Sequence, residues 1–308
     1  MKRIFAVIAA LGLAATVALA QDYNAAVDAF NAGAQALESN KTEALASFRS
    51  ALEQAQALEG DEAADLVAKC KEAIPGVLMS IAKEKINEGA YDEALTALAE
   101  TEAVATEYEA AAVAEEAKTL VPNVYMRKGS TLLKEKDFAG AAVALEEVTK
   151  LTPEDSKAFL LLGQAQLQSG ASAAAIASLE KANELGEAQA AKLLSTTYLK
   201  QGQALLKGGK AAEAIEALEK SNSYVESANA YKLIASAYTK SGKSAKAIEA
   251  YKKYLEVSPN AKDADDILFT IAATAQKAKD NATAKEYYGK LTGSAKYAAQ
   301  AAAQLKTL

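Results

Sequence analysis

Residues 230–261 read AYKLIASAYTKSGKSAKAIEAYKKYLEVSPNA: two amphipathic helical runs separated by a break at Ser241-Gly242-Lys243. Tyr231, Ile234, Ala235 and Tyr238 of the first run share one face at the i, i+3, i+4, i+7 spacing of a helix. Ala247, Tyr251 and Tyr254 do the same in the second run, which stops at Pro259. The stretch is a helix–turn–helix unit of about 34 residues, too small to bury its own apolar stripe. It needs neighbours of its own kind.

The chain supplies them on both sides. Tyr198, Gly202 and Leu205 precede Gly208-Gly209 and are followed by Ala214, Leu218 and Ser221. Phe159, Leu162, Gly163 and Gln166 precede Ser169-Gly170, then Ala175, Leu179 and Ala182. Tyr125, Gly129 and Leu132 precede Lys136-Asp137, then Ala141, Leu145, Val148 and Pro153. Leu268, Ile271, Ala272 and Ala275 precede Lys279-Asp280-Asn281, then Ala284, Tyr288 and Leu291. Large, apolar and small residues recur in one order. Small residues let paired helices approach, and large ones fill the space between pairs.

These units resemble the tetratricopeptide (TPR) repeat. The resemblance implies an all-α, right-handed α-solenoid (superhelix) of about seven TPR-like helix pairs with a C-terminal capping helix over Ala295–Leu305. Tyr254 stands where that pattern prefers a small residue, and the units at 156–187 and 195–226 lack its closing proline. The N-terminal third matches more loosely. Ala32, Ala44, Phe48 and Ala51 give one unit, and Leu78, Ile81, Ala82, Gly89, Ala94 and Leu98 another. Two extra helical segments, Asp61–Ile74 and Tyr108–Val121, read as inserted helices or early extensions of a first helix, broken at Pro75 and Pro122. The expected organisation is a signal peptide at 1–20, divergent units with inserted helices at 21–121, and regular units with the capping helix at 122–308, all in one continuous solenoid.

The signal peptide rests on the basic start Lys2-Arg3, the apolar run Ile4–Leu19 and the small residues of Ala18-Leu19-Ala20. Cleavage after Ala20 and a periplasmic location are expected, with no transmembrane segment in the mature chain. Loss of Lys2 and Arg3 takes the formal charge from −6 to −8, an acidic balance that disfavours nucleic acid. The single cysteine, Cys70, lies among Leu66, Val67 and Ile74 and reads as a buried, inert thiol.

No catalytic constellation stands out. The chain has no His, which removes the commonest general base and most zinc sites. Glu115-Glu116 and Glu146-Glu147 lie on charged helical faces. Asp263, Asp265 and Asp266 lack the glycine and Glu of a calcium loop and open a helix instead. No enzymatic activity, metal or cofactor is expected. Most tyrosines occupy repeat-core positions; Tyr224, Tyr287 and Tyr297 are the ones the pattern does not account for.

Charge is divided between helices. Residues 156–179, 188–212 and 227–248 contain no acid, whereas Glu180, Glu184, Glu213, Glu216, Glu219, Glu249 and Glu256 fall on second helices. The TPR resemblance implies that first helices line a concave groove. That groove would carry Arg127, Lys134, Lys157, Lys200, Lys207, Lys232 and Lys240, with Asn123, Ser130, Gln164, Gln168, Gln203 and Ser236 as neutral partners. Lys232 fits one place of the TPR carboxylate clamp, but the asparagines of that clamp are missing. The resemblance implies a scaffold or adaptor that binds a protein or peptide, here an acidic or carboxylate-ended segment. The alternative is a solute- or glycan-binding component of an outer-membrane transporter.

Overall fold

The structure is a computed structural model that describes residues 17–308, with side chains from Asp22 onward. Residues 1–16 of the expected signal peptide, and the side chains at its cleavage site, lie outside the described residues. The chain divides into two compact units, Met1–Pro153 and Glu154–Leu308. Every regular element among the described residues is an α-helix.

The first unit holds α1 (Val17–Ala36), α2 (Lys41–Gln56), α3 (Asp61–Glu88), α4 (Tyr91–Glu107), α5 (Ala111–Glu135) and α6 (Phe138–Leu151). The second holds α7 (Ser156–Gln168), α8 (Ser172–Glu184), α9 (Ala188–Lys207), α10 (Ala211–Tyr224), α11 (Ala228–Lys240), α12 (Ser244–Val257), α13 (Ala264–Lys277), α14 (Asn281–Lys290) and α15 (Ala298–Leu305). Odd- and even-numbered neighbours pack as seven pairs, with α15 against α14 at the C-terminal end. First helices of successive pairs also touch: α1 with α3, α3 with α5, and α9 with α11.

One contact builds every pair. A small residue of the first helix faces a large residue of the second, so the backbones approach closely. A Cβ on Gly129, Gly163 or Gly202 would stand 2.6 Å from the Cγ of Leu145, Leu179 or Leu218. Ala82, Ala235 and Ala272 hold the same place against Leu98, Tyr251 and Tyr288, and all six are buried. In the first pair the small residue is Gly33, whose Cβ would lie 3.0 Å from Phe48. Ala32, the residue expected there, is exposed. The register is shifted by one because Ala and Gly both look small in sequence, while the facing ring leaves no room for a methyl group.

Seven residues after the small residue the chain must reverse, and it does so through the left-handed region. Gly89, Gly170, Gly209 and Gly242 take φ of 79°, 88°, 75° and 70°, and Lys136 and Lys279 take 66° and 63° in the equivalent turns. Side chains cap several of the helices that follow. Asp137 accepts from Gly140 N at 2.9 Å, Asp155 from Lys157 N and Ala158 N at 3.0 Å, and Asn40 from Glu43 N at 3.1 Å.

The extra segments are early extensions of first helices, one of the two expected forms, but without the expected breaks. Neither Pro75 nor Pro122 breaks a helix: α3 runs unbroken through 28 residues and α5 through 25. Asp61–Ile74 is the N-terminal half of α3, and most of Tyr108–Val121 is the N-terminal half of α5. Each proline removes one backbone hydrogen bond. Packing along the rest of the helix outweighs that loss: Leu66, Cys70, Ile74, Val77 and Leu78 of α3 join Phe48 and Leu52 of α2 in one core. The boundary expected between residues 121 and 122 falls inside α5.

Candidate partner-binding faces

In the second unit, the first-helix residues singled out by sequence lie at or near the surface. Lys157 and Gln168 of α7, Lys200 and Lys207 of α9, and Lys232 and Lys240 of α11 are exposed; Gln164, Gln203 and Ser236 are half-buried. Gln164, Gln203 and Ser236 each directly follow the small residue of their helix, and Gln168, Lys207 and Lys240 each lie five residues beyond it. Equivalent positions in successive repeats thus present polar side chains at regular intervals. Among the described residues, no carboxylate oxygen lies within 4.0 Å of the Nζ of Lys157, Lys200, Lys207 or Lys240.

Lys232 is different. Its ammonium pairs with Asp263, which also accepts the Tyr254 hydroxyl, and it sits 5.6 Å from the Tyr254 ring centroid. The Lys232 hydrogen bond holds the Asp263 carboxyl below the usual carboxylate range, helped by Tyr254. The reciprocal bond, with burial, pushes Tyr254 up to about 12. Lys232 therefore fastens α11 to the start of α13. Tyr254 occupies the place where the repeat favours a small residue because its hydroxyl reaches that carboxylate.

The other expected groove residues, Asn123, Arg127, Ser130 and Lys134, lie on α5 in the first unit. Asn123, Arg127 and Lys134 are exposed and Ser130 is half-buried. Asn123 donates its side-chain amide to Thr119 O at 3.4 Å, within its own helix.

Three tyrosines without a place in the repeat pattern prove structural. Tyr224 stacks on Tyr198 with centroids 6.0 Å apart, and both hydroxyls donate to Glu180, at 3.1 and 3.2 Å. Burial, with that hydrogen bond, pushes Tyr224 up to about 12. Tyr297 stacks on Phe269 at 4.5 Å, and Tyr287 is buried beneath Lys290, 4.1 Å from its centroid. Only the folded chain brings Tyr224 to Tyr198 and Glu180, and Tyr297 to Phe269; Lys290 covers Tyr287 from one turn away in α14. Cys70 is fully buried, and burial pushes its thiol up to about 11.

The first unit carries a hollow that sequence reasoning missed. It has a volume of 520 Å³ and lies between the α1–α2 turn (Leu37, Glu38, Lys41), the middle of α3 (Gly76, Val77, Met79, Ser80, Lys83) and the start of α5 (Val113, Glu116). Lys41 pairs with Glu84 at 3.2 Å and Lys83 with Glu116 at 2.6 Å along its mouth. The units also differ in charge. Residues 22–153 hold 24 acids against 12 bases, a net of −12, and residues 154–308 hold 16 against 20, a net of +4.

Among the described residues no helix is long and apolar enough to cross a membrane. Residues 126–190 and 199–264 match the tetratricopeptide repeat family. Among solved structures, MamA is 25% identical over 59% of this chain and 96% of its own, with a TM-score of 0.35. YrrB, described as a TPR protein with an unusual peptide-binding site, is 16% identical over 60% of this chain and 91% of its own, with a TM-score of 0.33. The C-terminal part of a TPR repeat-containing protein from Cytophaga hutchinsonii is 20% identical over 74% and 88%, with a TM-score of 0.36. No curated protein matches the chain.

Proposed function

We propose that this tetratricopeptide repeat protein is an exported, periplasmic scaffold without catalytic activity, which holds an acidic or carboxylate-ended protein segment on the first helices of its second unit. One observation carries the reading. Along α7, α9 and α11 the acids are absent, and Lys157, Lys200, Lys207 and Lys240 have no carboxylate within 4.0 Å among the described residues. Helix dipoles account for a lysine in a last turn, as at Lys207 and Lys240, but not for helices wholly free of acids. Such a face attracts an anionic segment over long range and is weakened by salt. Lys232 is not part of it, because Asp263 already answers its charge.

The test is anisotropy of a dye-labelled Glu-rich peptide with a free C-terminal carboxylate. The variant is Lys200→Glu, Lys207→Glu and Lys240→Glu combined. The expected outcome is salt-sensitive binding by the native protein and loss of about tenfold or more in the variant. Equal binding by both proteins at high salt would place the partner elsewhere.

A second reading, a solute- or glycan-binding component, has one observation in its favour. A hollow of 490 Å³ between α10, α11 and α12 is flanked by Tyr231 and Tyr238. The side-chain amide nitrogen of Asn222 in its lining is buried without an acceptor. Chemical-shift changes of that amide on titration with neutral disaccharides would favour this reading; an unchanged spectrum would remove it.

A further inference from the structure

Gly76 is mid-helix in α3, directly after Pro75, where glycine weakens a helix by about 1 kcal/mol relative to alanine. Packing does not demand it. A Cβ there would meet nothing within 4 Å, unlike the Cβ positions of Gly129, Gly163 and Gly202. What its missing side chain does is leave the first unit's hollow open. That hollow has an apolar floor of Leu37, Val77, Met79 and Val113. Its 520 Å³ falls within the range of about 300–1,000 Å³ typical of preformed ligand pockets.

One wall is the start of α5, the segment that the repeat pattern does not contain. Val113 and Glu116 stand well before Pro122, and the helix continues through that proline into the repeat proper. The charge at the mouth is specific too. Lys41 and Lys83 are taken by Glu84 and Glu116, while Glu38 has no cation within 4.0 Å among the described residues. Residues 22–153 around it have a net charge of −12.

We propose that this hollow is a second docking site, which seats one large apolar side chain of a peptide whose flanking residues are Lys or Arg. Burial of the apolar anchor supplies affinity, and Glu38 with the acidic surround selects basic flanks. Its charge preference is opposite to that of the lysine-lined face of the second unit, and the site stands independently of that reading.

The probe is a dye-labelled peptide of sequence KKLFKK, with EELFEE as its control, titrated into the full chain by fluorescence anisotropy. KKLFKK should bind and EELFEE should not. Gly76→Leu projects a side chain into the open hollow at an ordinary helical position; it should not lower the melting temperature and should weaken KKLFKK by about tenfold or more. Glu38→Lys should weaken the same probe, and Gly76→Ala should retain it. The Lys-to-Glu triple of the second unit should leave it unchanged. KKLFKK binding that is indifferent to Gly76→Leu, or matched by EELFEE, would overturn the site. So would sedimentation showing that a second copy of the chain occupies the hollow and excludes the probe.

Discussion

At the residue scale, two kinds of helical glycine separate by what a methyl group would meet. Gly163 faces Leu179 at 2.6 Å and Gly76 faces open space. Gly163→Ala should therefore cost about 1–3 kcal/mol by overpacking, and Gly76→Ala should gain up to about 1 kcal/mol from helix propensity. Urea titrations of the two variants check the opposite signs. Lys136 and Lys279 do a glycine's work in left-handed turns; replacing either by Gly should stabilise by roughly 1 kcal/mol, less the entropy gained by the unfolded chain. The Tyr254–Asp263 contact gives a pH signature at both ends. Tyr254 is raised, so the stability it contributes is present below the ordinary tyrosine value and lost as pH climbs from about 10 towards 12. Asp263 is lowered, so its contribution is present above about pH 4 and lost as pH falls through its folded value. Melting temperatures against pH should show the alkaline loss shrinking in Tyr254→Phe. An identical alkaline limb in that variant would refute the assignment.

At the element scale, the repeat pairs were legible in the sequence because one geometric demand recurs. A small residue must face a large one about sixteen positions later. That demand is visible at Gly202 and Leu218 or Ala235 and Tyr251. It misled only where two adjacent residues were both small, at Ala32 and Gly33. The prolines misled more. Local rules place a helix end at Pro75 and Pro122, but tertiary packing along α3 and α5 overrides them. Pro122→Ala should restore the missing hydrogen bond in a half-buried stretch and stabilise by about 1–3 kcal/mol. Loss of stability in that variant would show that the proline shapes α5 rather than merely being tolerated.

At the scale of the whole molecule, charge is the informative quantity. Without Lys2 and Arg3 the formal net charge is −8, and it hides −12 over residues 22–153 and +4 over residues 154–308. Averaging over the chain suggested one acidic object with a mildly positive groove, whereas the two compact units differ in sign. Lys200, Lys207 and Lys240 have no carboxylate within 4.0 Å among the described residues. Their combined reversal should change stability by about 0.5 kcal/mol or less per site while changing anion binding strongly. A melt lowered well beyond that would mean these lysines hold the fold. For export, mass spectrometry of the native protein should find a chain beginning at Gln21; an intact Met1–Ala20 segment would instead mark an anchor.

The helix pairs and the division of acids between first and second helices follow from the sequence by itself. Both are periodic, and periodicity is a one-dimensional property that survives without coordinates. The pairing of Lys232 with Asp263, the Glu180 acceptor shared by Tyr198 and Tyr224, and the hollow over Gly76 required the tertiary structure. Each joins residues from different parts of the chain that no helical period links. A lysine on a first helix reads the same in sequence whether its charge is free or already met, and a glycine reads the same whether it admits a neighbour or leaves a space. Only the positions of the surrounding side chains decide between them.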